Sequence, residues 1–420
     1  MKLHIVSAAA VAAALIGSGV ARAEDNLEKL QNFQQTAPVD WPTVPQGGAK
    51  ADAVRQILKD KIKLPAGFHI ELYALVPDAR HMAVGPQGVV TFVGTRKNKI
   101  WAVTDRSRAG AEGGIEVKEF APTLAKRIPN GPCFSKDGFL YVVEQNRVLQ
   151  YPAAEFFYEG QDVAASVVVA EGKLIPKSEE SFNHTARVCR IGPDNKLYIQ
   201  IGQPYNVPTR EKADLFRKIG MGAIIRMNQD GTDREIYANG LRNPEGLDFN
   251  PKDKSLWTND NQVDGMGDDI PPGEMNRVEK QGLNFGFPWY GGGHTRTVEF
   301  KNETPPADVV FPEVEQVAHA ADLGLSFYTG DQFPAKYKGA IFSTQHGSWN
   351  RTVPVGARVM VTFLKDDGHV AGPSIPFAEG WNDNGHYLGR PVDVQQYWDG
   401  SLLVSDDLVG AVYRIWYDGK

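Results

Sequence analysis

Cys133-Phe-Ser-Lys-Asp-Gly-Phe-Leu-Tyr-Val-Val143 is two apolar segments joined by an Asp-Gly turn. Asp-Gly supplies the backbone that a tight hairpin needs, so the stretch predicts two antiparallel strands. The same plan recurs on both sides. Upstream lies Met82-Ala-Val-Gly-Pro-Gln-Gly-Val-Val-Thr-Phe-Val93. Downstream lie Cys189-Arg-Ile-Gly-Pro-Asp-Asn-Lys-Leu-Tyr-Ile199 and Leu247-Asp-Phe-Asn-Pro-Lys-Asp-Lys-Ser-Leu-Trp257. A stretched copy runs from Leu325-Ser-Phe-Tyr328 to Gly339-Ala-Ile-Phe342, and the last is Val392-Asp-Val-Gln-Gln-Tyr-Trp-Asp-Gly-Ser-Leu-Leu-Val404. Six copies at intervals of roughly 50 to 80 residues fit the long blades of a propeller. One blade cannot bury both of its faces, so six must share their cores in a ring. The prediction is all-β: a six-bladed β-propeller with a short N-terminal helical and extended arm. Gly67-Phe-His-Ile-Glu-Leu-Tyr-Ala-Leu75 is expected to close the ring beside Ala411-Val-Tyr-Arg-Ile-Trp416. A β-sandwich is the competing architecture, but it does not account for six copies of one unit.

Composition agrees. Among 420 residues, 43 Gly and 27 Pro suit a chain of many short strands and turns. The net charge of −6 is spread along the chain, and no basic run offers a face to nucleic acid. Lys2, the apolar stretch Ile5 to Ile16, and Ala21-Arg22-Ala23 before Glu24-Asp25 read as an export leader. The apolar stretch is too short for a membrane span. The expected boundaries are a leader over 1–23, an arm over 24–61 and the propeller over 62–420, in a periplasmic or secreted protein. Within the arm, Val54, Ile57, Leu58 and Ile62 fall on one face of a short helix over Ala51 to Ile62. The two cysteines, Cys133 and Cys189, hold matching positions in neighbouring repeats. A bridge needs Cα atoms within about 7 Å, so two buried thiols are expected.

Chemistry in a propeller belongs where blade loops converge on the axis. Phe182-Asn-His-Thr-Ala-Arg187 precedes the third repeat and offers His184, an imidazole suited to taking a proton near neutral pH. From spacing alone, a hydrogen-bonded surface histidine is the better account of it. Gly240-Leu-Arg-Asn-Pro-Glu-Gly246 precedes the fourth and offers Arg242, a planar fork for carboxylate, and the amide of Asn243. It also reads as a turn capped by Asn-Pro. His346-Gly-Ser-Trp-Asn-Arg351 follows the fifth, and Gly389-Arg390-Pro391 opens the sixth. Three arginines and a histidine at one repeat phase point to an anionic ligand on the axis. Any of His294, His319 and His386 could line the pocket, but each reads first as a polar loop residue.

From about residue 62 the chain resembles the soluble quinoprotein sugar dehydrogenases of the glucose/sorbosone dehydrogenase group. The marks are Ala238-Asn-Gly-Leu-Arg-Asn-Pro-Glu-Gly-Leu247, Gly273-Glu-Met-Asn-Arg-Val278 with Gly282-Leu-Asn-Phe-Gly-Phe-Pro288, His346-Gly-Ser-Trp-Asn-Arg-Thr352, and Gly389-Arg-Pro with Ser405-Asp-Asp407. The resemblance implies a bound pyrroloquinoline quinone (PQQ) and a calcium ion. It implies that His184 is the base for a sugar hydroxyl while hydride moves to the quinone, with electrons passing to an external acceptor, a soluble cytochrome or quinone. Arg242, Asn243 and Arg390 would bind the cofactor. Arg351 would stand roughly where glucose-oxidising members place a lysine. Calcium would sit at the strand exit Thr258–Gln262, using oxygens of Asn259, Asp260 and Asn261.

Three features depart from the family pattern. The strand exit is Asn259-Asp260-Asn261-Gln262 rather than Glu-rich or Gly-Pro. Ile128-Pro-Asn-Gly131 stands where the family places a glutamine, and Gly265–Pro272 is an insertion of the sorbosone type. The expected substrate is therefore an aldose or a related polyol or aldehyde. A calcium-dependent lactonase on a similar propeller, and a ligand-binding propeller without catalysis, are the alternatives.

Overall fold

The computed structural model describes residues 41–108, 113–160 and 162–419. The expected leader, and the arm as far as residue 40, lie outside the described residues. Six four-stranded antiparallel sheets carry the six repeats, each repeat forming the first two strands of one sheet. Blade 1 is Met82–Val84, Val90–Val93, Trp101–Asp105 and Ile115–Glu119. Blade 2 is Gly131–Phe134, Leu140–Val143, Val148–Tyr151 and Ser166–Val169. Blade 3 is Arg187–Ile191, Leu197–Ile201, Ala223–Met227 and Glu235–Asn239, extended by Leu283–Asn284. Blade 4 is Asn243–Phe249, Leu256–Asn261, Gly273–Val278 and Val314–Gln316, and blade 5 is Asp322–Phe327, Ile341–Gln345, Arg358–Thr362 and Ile375–Ala378. Blade 6 takes Pro391–Gln396, Leu402–Asp406 and Ala411–Tyr417 from the C-terminal end, and its outer strand, Phe68–Leu75, from the N-terminal side. The expected closure is therefore present, in register from Phe68 opposite Tyr417 to Leu75 opposite Ala411.

The first strand of each blade packs beside the first strands of its two neighbours, and the sixth returns to the first. This ring explains why the inner strands read as continuous apolar runs rather than alternating ones. Side chains alternate faces along a strand, and here both faces are covered. Leu140 and Val142 pack with Val90 and Phe92 of blade 1, whereas Tyr141 and Val143 pack with Leu197 and Ile199 of blade 3. Leu402 and Val404 likewise face blade 5, and Leu403 faces blade 1.

Each seam also carries a buried polar clasp. In order around the ring these are Arg80 Nε to Asn130 Oδ1 (3.1 Å), Asn130 Nδ2 to Arg187 O (3.3 Å) and Gln200 Nε2 to Gly246 O (3.0 Å). Phe327 N to Asp248 Oδ2 (2.8 Å), Thr344 Oγ1 to Val392 O (2.6 Å) and Met82 N to Asp393 Oδ2 (2.8 Å) complete it. Each such bond contributes about 1 kcal/mol net, and losing one partner strands a buried polar group at about 1–3 kcal/mol.

The described part of the arm covers the outside of the ring. Val44 N donates to Val117 O on the outer strand of blade 1. The helix runs Ala49–Lys61 and buries Ala51, Val54 and Leu58 against the core of blades 5 and 6. Ile62 falls just beyond its last turn, in extended backbone.

The cysteines correct the expectation. Cys133 and Cys189 form a disulfide, with Cα atoms 5.7 Å apart. Both lie on innermost strands, where neighbouring blades converge. Gly131 permits the approach: a Cβ there would lie 2.2 Å from the carbonyl oxygen of Arg187. The bridge closes a sequence separation of 56 residues. In the loop-entropy picture it is worth about 2–4 kcal/mol. Cys133→Ser/Cys189→Ser is expected to melt measurably below the wild type, with the 133–189 linked peptide present in a non-reduced digest of the latter. Equal melting temperatures and two free thiols in the wild type would contradict this.

Candidate functional site

In an antiparallel blade the entry to strand one and the exit of strand two lie at the same end. All six blades therefore deliver those segments to one face of the ring. There they enclose a cavity of about 320 Å³, which His184, Arg242, Asn243, Asn261, His346 and Arg390 help to line. Five of the eight expected site residues thus meet in one place.

His184 precedes the first strand of blade 3, at a backbone φ of 50°. A non-glycine residue there is strained, and such strain is characteristic of functional sites. Its Nδ1 contacts the carbonyl oxygen of Gln203. A carbonyl only accepts, so Nδ1 carries the hydrogen and Nε2 is bare. Burial and the nearby Arg242 push its pKa down to about 3, so the ring is neutral.

Arg242 opens blade 4, and its fork is already engaged. Nε and Nη2 donate to the backbone and side-chain oxygens of Asn206 (3.0 and 2.8 Å), Nη1 to Asn261 O (3.2 Å), and Nη2 to Asp264 (2.8 Å). Arg390 donates Nε and Nη2 to the carbonyls of His346 and Gly347 (3.0 and 2.7 Å) and keeps Nη1 free of protein partners among the described residues.

Three of the expected residues are placed elsewhere. Arg351 points away from the cavity, into the insertion, where it meets the carbonyls of Asp268 and Ala318 and the Asp269 carboxylate. The insertion supplies two of those three acceptors, which a sequence motif does not reveal. Asn259 and Asp260 are sealed within the second strand of blade 4. Asn259 Nδ2 reaches Leu323 O at 2.7 Å. The two carboxylate oxygens of Asp260 accept the backbone N–H groups of Arg242 and Asn243, at 2.9 and 2.8 Å. Asp260 therefore positions the Arg-Asn pair from behind. Asp406 does the same for Arg390 in blade 6, accepting its N–H at 2.9 Å. Asp260 faces Glu274 across the strand pair; burial raises both carboxyls well above the usual range, and the charge of Asp260 adds to the rise at Glu274.

Several lining residues carry no repeat-phase signal and were not expected: Arg80, Arg96, Glu245, Asp264 and Asp322. Arg80 is 2% exposed, and its guanidinium meets Glu245 at 2.6 Å and Asp407 at 3.0 Å. The Arg96 guanidinium has no hydrogen-bond or ion-pair partner among the described residues. Of His294, His319 and His386, His319 lines the cavity, bridging Gly267 O, Ile270 O and Asn350.

The donor set suits two kinds of ligand at once. Among the described residues neither Arg96 nor Arg390 has a carboxylate at ion-pair distance, although Asp407 and Asp406 lie close enough to act on Arg390, and this favours an anion. The amide oxygens of Asn243 and Gln262, both cavity residues, are buried without a partner among the described residues. Unsatisfied amide oxygens are what a hard cation such as calcium takes. PQQ, as an anion, and calcium both fit the residues present.

The structure is a six-bladed propeller with a polar cavity where the loops of one face converge. The family model described as Glucose / Sorbosone dehydrogenase matches residues 132–345, just over half of the sequence, and the chain belongs to that family. An uncharacterized protein of Borreliella burgdorferi is 34% identical over 249 residues, 58% of this chain and 63% of that protein. The aldose sugar dehydrogenase YliI of Escherichia coli is 29% identical over 151 residues, 33% of this chain and 38% of that enzyme. The chain thus matches less than two thirds of the length of these curated relatives. Among solved structures, the holo PQQ domain of pyranose dehydrogenase from Coprinopsis cinerea superposes with a TM-score of 0.67 at 17% identity, covering 85% of this chain and 97% of that one. At that identity the likeness speaks for the fold alone.

Asp322 offers a test of the site's electrostatics. It is fully buried, accepts from Gln345 Nε2 at 3.0 Å, and burial raises its carboxyl to about 7. The folded protein then holds a proton that the unfolded chain releases near pH 3.8. This contribution is complete below that value and is lost as pH rises towards about 7. Asp322→Asn removes it. Between about pH 4 and 7.5 the stability of the variant relative to wild type is expected to rise by up to about 4 kcal/mol. Denaturant melts at both pH values check this, and a pH-independent difference would refute it.

Proposed function

We propose that the protein is a quinoprotein dehydrogenase that oxidises an aldose or a related polyol or aldehyde. In this reading PQQ and calcium occupy the axial cavity, and electrons leave to an external acceptor, a soluble cytochrome or quinone. The leader read from residues 1–23 supports export to the periplasm, and among the described residues no helix is long and apolar enough to cross a membrane. The observation that carries the reading is the bare Nε2 of His184 on the wall of a cavity with uncompensated arginines.

The quinone, when bound, supplies a two-electron acceptor for hydride. The protein's own part is acid–base and electrostatic. Arg390 and Arg96 hold negative charge over the axis, and Asn243 and Gln262 offer oxygens to the cation. His184 accepts the substrate hydroxyl proton at Nε2 while Nδ1–H stays on Gln203 O, which fixes the ring. Its base strength is tied to loading. Arg242, Arg187 and Arg96 all depress it, so an anion beside them raises it towards the working range. The Arg242–Asp264 ion pair leaves Arg242 chiefly a mouth-shaping residue, with Asn206 and Asn261 fixed around it.

Two results are expected. His184→Ala should lower turnover by roughly 10² to 10⁴ while quinone titration of the folded variant is unchanged. Near-normal turnover would remove His184 from the role. Exhaustive chelation should abolish sugar oxidation, and calcium with quinone should restore it. Full activity of loaded enzyme with no metal detectable would exclude the cation.

A further inference from the structure

Blade 2 differs from the other five: among the described residues, none of the cavity lining comes from it. Its strand-two exit, Glu144-Gln145-Asn146-Arg147, meets residues 170–186 instead. This connection runs from the outer strand of blade 2 to the inner strand of blade 3 and carries His184. Apart from one 3₁₀ turn at Lys177–Glu179, it has no regular structure. Its course therefore depends on side-chain anchors. His184 in particular needs them, because a φ of 50° is unfavourable for a residue with a Cβ.

Asn146 is 4% exposed and holds the connection at three points. Its carbonyl oxygen accepts from Gly172 N at 2.9 Å, and its Oδ1 accepts from Ile175 N at 2.8 Å. Its Nδ2 donates to Glu180 Oε1 at 2.6 Å, and the other oxygen of Glu180 accepts from Arg127 Nη1 at 2.8 Å. Gln145 Nε2 donates to Ser181 O at 2.6 Å, and Ser181 Oγ accepts from Asn183 N at 3.0 Å. Bonds thus lead from the blade 2 turn to the residue before His184. On the blade 3 side, Lys212 Nζ donates to both oxygens of Glu179 at 2.8 Å, and Arg187 Nη1 holds His184 O at 2.6 Å. Leu174 and Ile175 are buried in the core of blades 2 and 3. Burial of apolar groups is non-directional, whereas hydrogen bonds fix angles. The orientation of 180–184 is therefore set by the polar anchors. The bond from His184 Nδ1 to Gln203 O forms only if they bring the ring within reach.

We propose that Asn146 and Gln145 are positioning residues for His184, so that the strand-two exit of blade 2 sets the place of the imidazole from outside the cavity. The consequence for turnover rests on the reading of His184 as the base, and the placement of the ring does not. In this role blade 2 contributes to the site what its own side chains do not supply directly.

Asn146→Asp keeps the acceptor for Ile175 N and sets a carboxylate oxygen against Glu180. Adding Glu180→Gln restores that bond with its direction reversed, the new amide donating to the new carboxylate while its oxygen still accepts from Arg127. In enzyme loaded with quinone and calcium, Asn146→Asp should lower kcat by about 10- to 100-fold with KM nearly unchanged, the usual cost of a small misplacement of a reacting group. The double variant should recover most of the loss. On histidine-labelled full-length protein, Asn146→Asp should shift or broaden the ¹⁵N signals of His184, and the double variant should return them. Gln145→Met loses the donor to Ser181 O together with an amide oxygen that is buried without a partner among the described residues. It should melt close to wild type, yet move the His184 signals and lower kcat. His184 signals and kcat at wild-type values in both single variants overturn the proposal, as does a loss in Asn146→Asp that Glu180→Gln does not reverse. If loaded wild type oxidises no sugar, the dehydrogenase reading fails instead, and the ¹⁵N signals decide the positioning by themselves. Should Asn146→Asp not fold, Gln145→Met decides it by the same signals.

Discussion

Arg80 stands where the six blades meet, and the floor of the cavity depends on it. Its guanidinium takes Asn130 from blade 2, Glu245 from blade 4 and Asp407 at the end of blade 6's second strand. Through Asn130 it reaches the carbonyl of Arg187 in blade 3, and through Asp407 it reaches His346 of blade 5. A buried cation is tolerable only with partners, because desolvation costs several kcal/mol per ion. The two carboxylates have the converse problem, since neither has another cation within ion-pair distance among the described residues. Each side thus requires the other. The ring cannot shift one blade relative to the rest without uncovering a charge. Apolar packing at the seams tolerates small slides, and directional ion pairs on the axis do not. The axis is where precision matters, because the ligand residues are mounted on the same loops.

A second constraint is built behind the site. The strand-two exits of blades 4 and 6 each end in an acid, Asp260 and Asp406, whose oxygens receive the backbone N–H groups of the arginine that opens the same blade. These acids are conformational clamps. Their pKa values are raised, Asp406 to about 6, because burial outweighs the backbone donors around it. Each clamp fixes the backbone of the arginine that opens its own blade.

The fold is legible in the sequence because its signals are local. Asp137-Gly138, Pro193-Asp194-Asn195 and Asp399-Gly400 each dictate a turn regardless of what lies across the seam. The blade count follows from repetition of that one unit. His184, Arg242, Asn243 and Arg390 are legible for a related reason: they sit at a fixed phase of the repeat, and the phase fixes the end of the blade. What depends on distance between blades is not legible. The disulfide depends on the closeness that Gly131 permits, and sequence spacing carries no measure of it. Arg80 and Arg96 escape because an arginine outside a motif looks like any surface arginine. Arg351 misleads because the insertion, which arrives from another blade, captures it. Asp260 sits in the right segment with its side chain turned inward, onto the backbone N–H groups of Arg242 and Asn243.

The insertion at 265–272 does more than divert Arg351. His319 holds it at two carbonyls, and Thr352 N binds the Asp268 carboxylate. Asp264, just before it, is shared between Arg242 and Asn350 at 2.8 and 2.7 Å. Loops of blades 3, 4 and 5 are thereby tied over one side of the cavity, with Trp349, 77% exposed, at its edge. Among the described residues, blade 1 contributes to the lining the buried, ion-paired Arg80 and Arg96, whose guanidinium has no partner there. The mouth is therefore asymmetric: rigid and hydrogen-bonded on one flank, cationic on the other. An anion approaching the axis is drawn towards the Arg96 flank.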